Sequence, residues 1–192
     1  MGGVSLRLGA AGLVALAVGG ATSYLQSVLP YGVAPLANSA GPWCLVAFAL
    51  AWWSTRVGEG AVTGAMALGA LVAGYYVVAH LRGYGVSSSS VAFWSLAAVT
   101  VGPVLGVAAV VVRRGHGWAS VLAALVLPLL LVAEGLRSLA RIAGTTPAAY
   151  WFAEIVLGAV LVLPTVLVLR RNRLFAESEA ALTPEHVGCQ QG

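Results

Sequence analysis

The chain has 192 residues, of which 60% are hydrophobic and only 8% are charged, against about 25% charged residues in a typical soluble domain. All ten basic residues are arginine and all six acidic residues are glutamate, so the formal net charge is +4. With a mean hydropathy of +0.93, this composition excludes a soluble enzyme, a disordered chain and a nucleic-acid-binding domain, and it predicts a multi-pass protein embedded in a lipid bilayer.

Apolar stretches predict an all-α bundle of six transmembrane helices, because a helix needs about 20 apolar residues to cross the hydrocarbon core. The predicted spans are about residues 8–29, 36–54, 61–80, 90–112, 118–138 and 150–169. The second span is long enough only if Leu36–Gly41 enters the membrane together with the apolar run that follows it. Residues 1–170 then form one transmembrane domain, and the polar residues 171–192 are expected to be a mostly disordered cytoplasmic tail.

The distribution of arginine predicts how the helices are oriented, since cytoplasmic loops carry an excess of basic residues. A cytoplasmic N-terminus puts seven arginines inside and three outside. Both termini are therefore expected on the cytoplasmic side of a bacterial inner membrane. The inner set is Arg7, Arg56, Arg113, Arg114, Arg170, Arg171 and Arg173, and the outer set is Arg82, Arg137 and Arg141.

Polar side chains gather at the outer ends of the predicted helices, whereas the inner halves carry almost none. This asymmetry predicts a ligand pocket that opens to the outer face. The residues expected to line it are Asn38, Tyr76, His80, Glu134, Arg137, Arg141, Tyr150 and Glu154.

Two glutamates are the central candidates in this pocket. Glu134 is about one turn before the end of the fifth span and Glu154 about one turn after the start of the sixth, so the two carboxyl groups are expected at similar depth. Acidic side chains inside a membrane usually face the bundle interior and pair. Arg137 lies on the same helical face as Glu134, and Arg141 follows one turn later. Helix dipoles favour the anion at Glu154 and oppose it at Glu134, so Glu134 is expected to be neutral. The pair either fixes two helices structurally or handles a ligand or proton.

Two further residues, His80 and Asn38, are each open to two interpretations. His80 follows Tyr76 by one turn, and it either binds a ligand or places its imidazole in water at the membrane interface. Asn38 lies between Pro35 and Pro42 in a segment that is expected to be non-helical. This segment either dips into the membrane and lines the pocket or forms a surface loop.

Small residues recur at every fourth position on three predicted helices, a pattern that lets helices approach closely. They are Ala11, Ala15 and Gly19 on the first helix, Gly60 and Gly64 on the third, and Gly102 and Gly106 on the fourth. The face on the first helix either packs within the chain or docks on a partner membrane subunit.

Four sequence runs are distinctive: LPYGVAPLANSAGPWCLVAFALAW, ALVAGYYVVAHLRG, SSSSVAFW and LLLVAEGLRSL. They resemble a family of small bacterial multi-pass membrane proteins that is known only as a domain of unknown function. The resemblance covers nearly the whole chain except the tail, and it implies a membrane fold but no activity. The architecture is also similar to the substrate-binding subunits of energy-coupling-factor vitamin transporters, which have six helices, both termini inside and a small-residue docking face on the first helix.

Three functions are compatible with these patterns. The first is a solute-binding or transport subunit that holds a small molecule in the outer pocket and docks on a partner through its first helix. The second is an enzyme acting on a lipid or isoprenoid, such as a membrane terpene cyclase in which Glu134, together with Glu154, protonates the substrate. Its carbocation would be stabilised by the rings of Tyr75, Tyr76, Trp94, Tyr150, Trp151 and Phe152. The third is a scaffold without a site. No metal or cofactor is expected, because the sequence lacks their motifs.

Overall fold

A computed structural model describes residues 2–115 and 117–182, and within this part all regular secondary structure is helical. The predicted all-α class is therefore confirmed. The elements in chain order are α1 (Gly2–Leu25), a 3₁₀ helix (Tyr31–Ala37), α2 (Ala40–Ala51), α3 (Val57–Leu81), α4 (Ser88–Arg114), α5 (Gly117–Arg141) and α6 (Ala148–Leu182).

Four of these helices, α1, α3, α4 and α5, are long and apolar enough to cross a membrane. The 3₁₀ helix and α2 meet the same criterion together, but a bend of 45° separates them, so they form a fifth span only if the pair is counted as one. The apolar part of α6, Ala148–Leu163, is shorter. The chain is thus a helical membrane protein, and the count of six spans remains a prediction.

The segment before α2 departs from the irregular backbone that its prolines predict. Residues Tyr31–Ala37 form a 3₁₀ helix that includes Pro35. The carbonyl of Pro35 accepts the N–H groups of Asn38 and Ser39 at 2.9 and 2.7 Å, so the lost N–H of one proline does not prevent a short helix. Pro42 lies in the first turn of α2, where a proline removes no helical hydrogen bond. The bend places Asn38 and Ser39 at the end of the bundle.

Glycines form the tightest contact in the bundle, where α3 crosses α4. Gly60 and Gly64 on α3 lie directly against Gly106 and Gly102 on α4, and a Cβ built on Gly64 or Gly106 would overlap a backbone carbonyl of the opposite helix. The two backbones touch because no side chain separates them. This contact confirms the predicted packing role of the four glycines.

The small-residue face of α1 packs against α3 in the same way. Ala15 is fully buried, Ala11 and Gly19 are buried, and a Cβ on Gly19 would overlap the carbonyl of Leu71. All three residues are thus buried within the chain, and docking of this face on a partner subunit stays a prediction. Their small side chains serve helix packing within the chain.

Helix α6 continues to Leu182, past Arg170, although the sequence predicts a disordered tail from that point. Residues 171–182 are rich in arginine, alanine, glutamate and leucine, which have high helix propensity. They therefore extend α6. The rest of the predicted tail, residues 183–192, lies outside the described residues.

The helices alternate in direction, so the bundle has two distinct ends. At one of them, which we call the polar end, Arg82 near the end of α3 donates to the carbonyl of Ser23 and to Oγ of Ser27, each at 2.6 Å. At the opposite end, Arg113 of α4 donates to the carbonyl of Ser54 at 2.5 Å. The polar end contains the starts of α2, α4 and α6, and most of the predicted pocket residues lie there.

Candidate functional site

The first turn of α2 is capped by a side chain from another helix. The first N–H groups of any helix have no partner within it. Here the N–H of Ala40 donates to Oε1 of Glu134 at 2.7 Å, and the N–H of Gly41 donates to Oε2 at 2.6 Å. Ser39 occupies the N-cap position but makes no side-chain capping bond. Glu134 of α5 therefore replaces the usual cap, and the positive end of the α2 dipole favours a carboxylate in this place.

Glu154 of α6 reaches the same turn. Its side chain is only 6% exposed, and neither carboxyl oxygen has a hydrogen-bond partner within the described part of the chain. A Cβ built on Gly41 would overlap Oε1 of Glu154, so a glycine at this position leaves the space that the carboxyl group fills. The two carboxyl groups meet at Gly41, where Glu134 bonds the N–H and Glu154 packs against the Cα. We call Glu134, Glu154, Gly41 and Ala40 the carboxyl cluster.

The hydrogen bonds in the carboxyl cluster reverse the charge assignment that the dipoles of α5 and α6 predict. Two backbone donors and the start of α2 stabilise a negative charge on Glu134. Glu154 is buried without a donor, and a buried charge without a partner is costly. The dipoles of α5 and α6 alone favour the neutral form at Glu134, because each dipole acts on the glutamate of its own helix and α2 is left out.

A cavity of about 360 Å³ lies on the other side of the same turn, between α2, α3 and α4. We call it the aromatic cavity, and its volume is within the range of about 300–1,000 Å³ that is typical of ligand sites. The described lining consists of aromatic rings, uncharged polar side chains and Gly85. The rings are Trp43, Tyr75, Tyr76 and Trp94, and the polar side chains are Asn38, Ser39, Ser87 and Ser90.

The rings of the aromatic cavity are held by one another. Trp43 lies 5.6 Å from Tyr75 and 6.0 Å from Trp94 between ring centres, and Tyr75 lies 5.2 Å from Tyr76 in a T-shaped arrangement. The Tyr75 hydroxyl donates to Oε1 of Gln26 at 2.5 Å. Trp43 is 7% exposed, and its indole N–H has no partner in the described structure. The cavity wall thus contains aromatic rings that hold one another in place, while the indole N–H of Trp43 is buried away from the open space.

Ser39 connects the aromatic cavity with the carboxyl cluster. It lines the cavity, and its hydroxyl lies 2.8 Å from the hydroxyl of Tyr150 at the start of α6. The next two residues donate to Glu134. The hydrogen bonds of the first turn of α2 therefore also fix one wall of the cavity.

The structure separates the predicted pocket residues into two groups, one at the aromatic cavity and one at the carboxyl cluster and beside it. Asn38 and Tyr76 line the aromatic cavity. Glu134, Glu154 and Tyr150 lie together on the α5 and α6 side of α2. The glutamates are outside the described cavity lining, and both oxygens of Glu134 accept hydrogen bonds, so this arrangement does not favour Glu134 as the acid of a cyclase.

The other predicted residues lie at neither the aromatic cavity nor the carboxyl cluster. His80 is exposed and borders a separate apolar groove beside Tyr76. Arg137 and Arg141 are exposed as well. The predicted pairing of Glu134 with Arg137 is corrected, because the carboxylate is hydrogen-bonded to backbone N–H groups, and Arg137 contributes only attraction over a longer distance.

Several residues of the cavity and the carboxyl cluster are not among the eight predicted pocket residues: Ser39, Gly41, Trp43, Tyr75, Ser87, Ser90 and Trp94. Ser39 and Gly41 belong to the segment between Pro35 and Pro42, for which a pocket lining is one of the two predicted alternatives. The run Ser-Ala-Gly-Pro contains a signal that points to these two residues, since a serine followed by a proline in the first turn is typical of a helix start with free N–H groups. No local pattern in the sequence marks Trp43 as buried. Its burial between α3 and α4 becomes visible only in the packed structure.

Replacing Glu134 with glutamine is expected to lower the free energy of unfolding by about 2 kcal/mol, because an amide accepts through one oxygen only and hydrogen bonds to a charged group are the stronger ones. The exposed Arg137 serves as a matched control, and Arg137→Gln is expected to change stability by less than about 1 kcal/mol. Detergent-denaturation curves of both variants measure the difference. Equal losses would mean that an ion pair, and not the start of α2, stabilises Glu134.

Comparisons with known proteins give one match. No curated protein and no solved structure matches the chain. The likeness to energy-coupling-factor subunits therefore has no support from them, and the small-residue face on which it depends is covered by α3. A family model described as "Family of unknown function (DUF6518)" matches residues 2–189, nearly the whole chain. The chain therefore belongs to this family of unknown function.

Proposed function

We propose that the protein is a solute-binding or transport subunit that holds a small polar molecule in the aromatic cavity. The observation that carries this proposal is the cavity itself, in which aromatic rings and uncharged polar side chains surround about 360 Å³ of space. A concave site with a few polar groups between aromatic walls is the usual form of a small-molecule site.

The arginines support an outward-facing cavity in a six-span, N-in arrangement. Arg56, Arg113 and Arg114 belong to the end of the bundle opposite the cavity, and basic residues favour the cytoplasmic side. This orientation places the polar end at the outer face of a bacterial inner membrane. The segment from Tyr31 to Ala51 then enters the membrane as one bent span, and the apolar start of α6 provides the sixth.

In this proposal the carboxyl cluster has a positioning role. Glu134 holds the first two N–H groups of α2, and Ser39 lies immediately before them in the cavity wall. A shift of this turn would move Ser39 and Trp43 together. The glutamates therefore act on the ligand through α2 and do not contact it.

Native mass spectrometry of the purified protein tests the proposal. A discrete small molecule is expected to remain bound to the wild type and to be lost from Ser90→Phe, because the new ring would fill the cavity. Ser88→Phe is the matched control: it places the same ring in the same first turn of α4, at a residue outside the described lining, and it is expected to retain the molecule. Bulk phospholipid alone, in equal amounts in all three proteins, would contradict ligand binding and favour a scaffold.

A further inference from the structure

The described lining of the aromatic cavity carries no formal charge. Provided that the proposed binding function holds, this limits the chemical class of the ligand. Arg82, the nearest arginine along α3, is held on the α1 side by Ser23 and Ser27. The carboxylate of Glu134 accepts the N–H groups of Ala40 and Gly41 at the start of α2. An ionic ligand would therefore enter the cavity without a lining counter-charge, at a considerable cost of desolvation.

Partial charges of both signs surround the cavity. Ser39 and Ser87, the N-cap residues of α2 and α4, both line it, and the positive ends of helix dipoles favour an anion over a cation. The faces of aromatic rings carry the negative part of the aromatic quadrupole, which favours a cation. The two contributions offset each other, so neither kind of ion gains a net attraction that would replace the missing counter-charge.

The remaining chemistry of the lining fits a molecule with apolar faces and hydroxyl edges. The rings of Trp43, Tyr75, Tyr76 and Trp94 offer apolar contact area. Asn38 and the serine hydroxyls donate and accept hydrogen bonds. A sugar ring combines these properties, since its C–H groups form apolar faces and its hydroxyls surround the edge.

We propose that the aromatic cavity binds a neutral sugar ring, either as a free sugar or as the head group of a glycolipid. The aromatic rings contact the C–H face of the sugar, and its hydroxyls bond to Asn38 and to the serines of the lining. No bond is made or broken in this step. The open end of the cavity lies at the polar end of the bundle, from which both sources are accessible.

The test uses full-length protein in phosphatidylcholine nanodiscs, prepared without maltoside or glucoside detergents because these carry sugar head groups themselves. Methyl glucoside, methyl galactoside, methyl mannoside and N-acetylglucosamine are titrated against intrinsic tryptophan fluorescence and thermal stability. At least one of them is expected to give saturable binding that Tyr76→Leu, which removes one ring of the lining, weakens about tenfold. Ser90→Phe is expected to abolish binding, and Ser88→Phe to retain it. The octyl glycoside of the same sugar distinguishes the two sources: much tighter binding of the octyl form indicates a glycolipid, and equal affinities indicate a free sugar.

Choline and acetate are the ionic comparison ligands. Binding of either one in the absence of sugar binding would overturn the sugar assignment but keep the cavity as a ligand site. An ionic molecule found by native mass spectrometry would have the same consequence. Absence of any bound or co-purified molecule would overturn the sugar assignment and the proposed function together.

Discussion

Gly106→Ala is expected to destabilise the protein by about 3 kcal/mol, since overpacking of a tight contact costs up to about that amount. A Cβ at Gly106 would overlap the carbonyl oxygen of Gly60 and lie 3.2 Å from the backbone nitrogen of Ala61. Both neighbours are backbone atoms, so no side chain can rotate to make room. The helices α3 and α4 would have to separate along their crossing. Denaturation of the purified protein in increasing dodecyl sulfate measures the loss.

Gly69→Ala is the matched control for this prediction. Gly69 lies in α3, as the partners of Gly106 do, but a Cβ built on it meets nothing within 4 Å. Because alanine is the better helix former, this variant is expected to keep its stability or to gain about 0.5–1 kcal/mol. A similar loss in both variants would show that the bundle tolerates no added methyl group anywhere, and the crossing would then have no special role.

The helices and the glycine crossing were predictable because local patterns determine them. An apolar run long enough to cross a bilayer is visible from sequence alone, and so is the four-residue spacing of Gly60, Gly64, Gly102 and Gly106. The partner of each small face is not visible in the same way. The face of Ala11, Ala15 and Gly19 carries the same pattern, but only the packed structure shows that α3 covers it.

The candidate site was predictable only in part, for a related reason. The equal depth of Glu134 and Glu154 follows from counting residues along two antiparallel helices, and the structure brings both to Gly41. Counting along α5 also suggests Arg137 as the partner of Glu134. The N–H groups at the start of α2 are the partners of Glu134 instead. The position of α2 depends on the bend after the 3₁₀ helix, which no periodicity in the sequence encodes. The same turn then separates the glutamates from the aromatic rings.

Gly41→Ala is expected to lower the free energy of unfolding by about 3 kcal/mol. The added Cβ would overlap Oε1 of Glu154 and approach Cδ2 of Leu131 to 2.7 Å. Glu154 is 6% exposed, so its carboxyl group has little space in which to move aside, and the N–H of Gly41 would be displaced from Glu134. Gly32→Ala is the control nearby in sequence, because a Cβ there meets nothing within 4 Å, and we expect it to be neutral within about 0.5 kcal/mol.

A second substitution separates the clash with Glu154 from other effects of the methyl group. Glu154→Ala removes the carboxyl group that the new Cβ would meet, so the double variant is expected to be more stable than the sum of the single losses predicts, by at least about 1 kcal/mol. Leu131 remains in place, which is why we expect the recovery to be incomplete. Strict additivity in this double-mutant cycle would mean that the two residues are not in contact, and that Glu154 does not pack against the first turn of α2. Recovery of stability would instead establish the contact at Gly41 that fixes this turn, and with it the wall of the aromatic cavity.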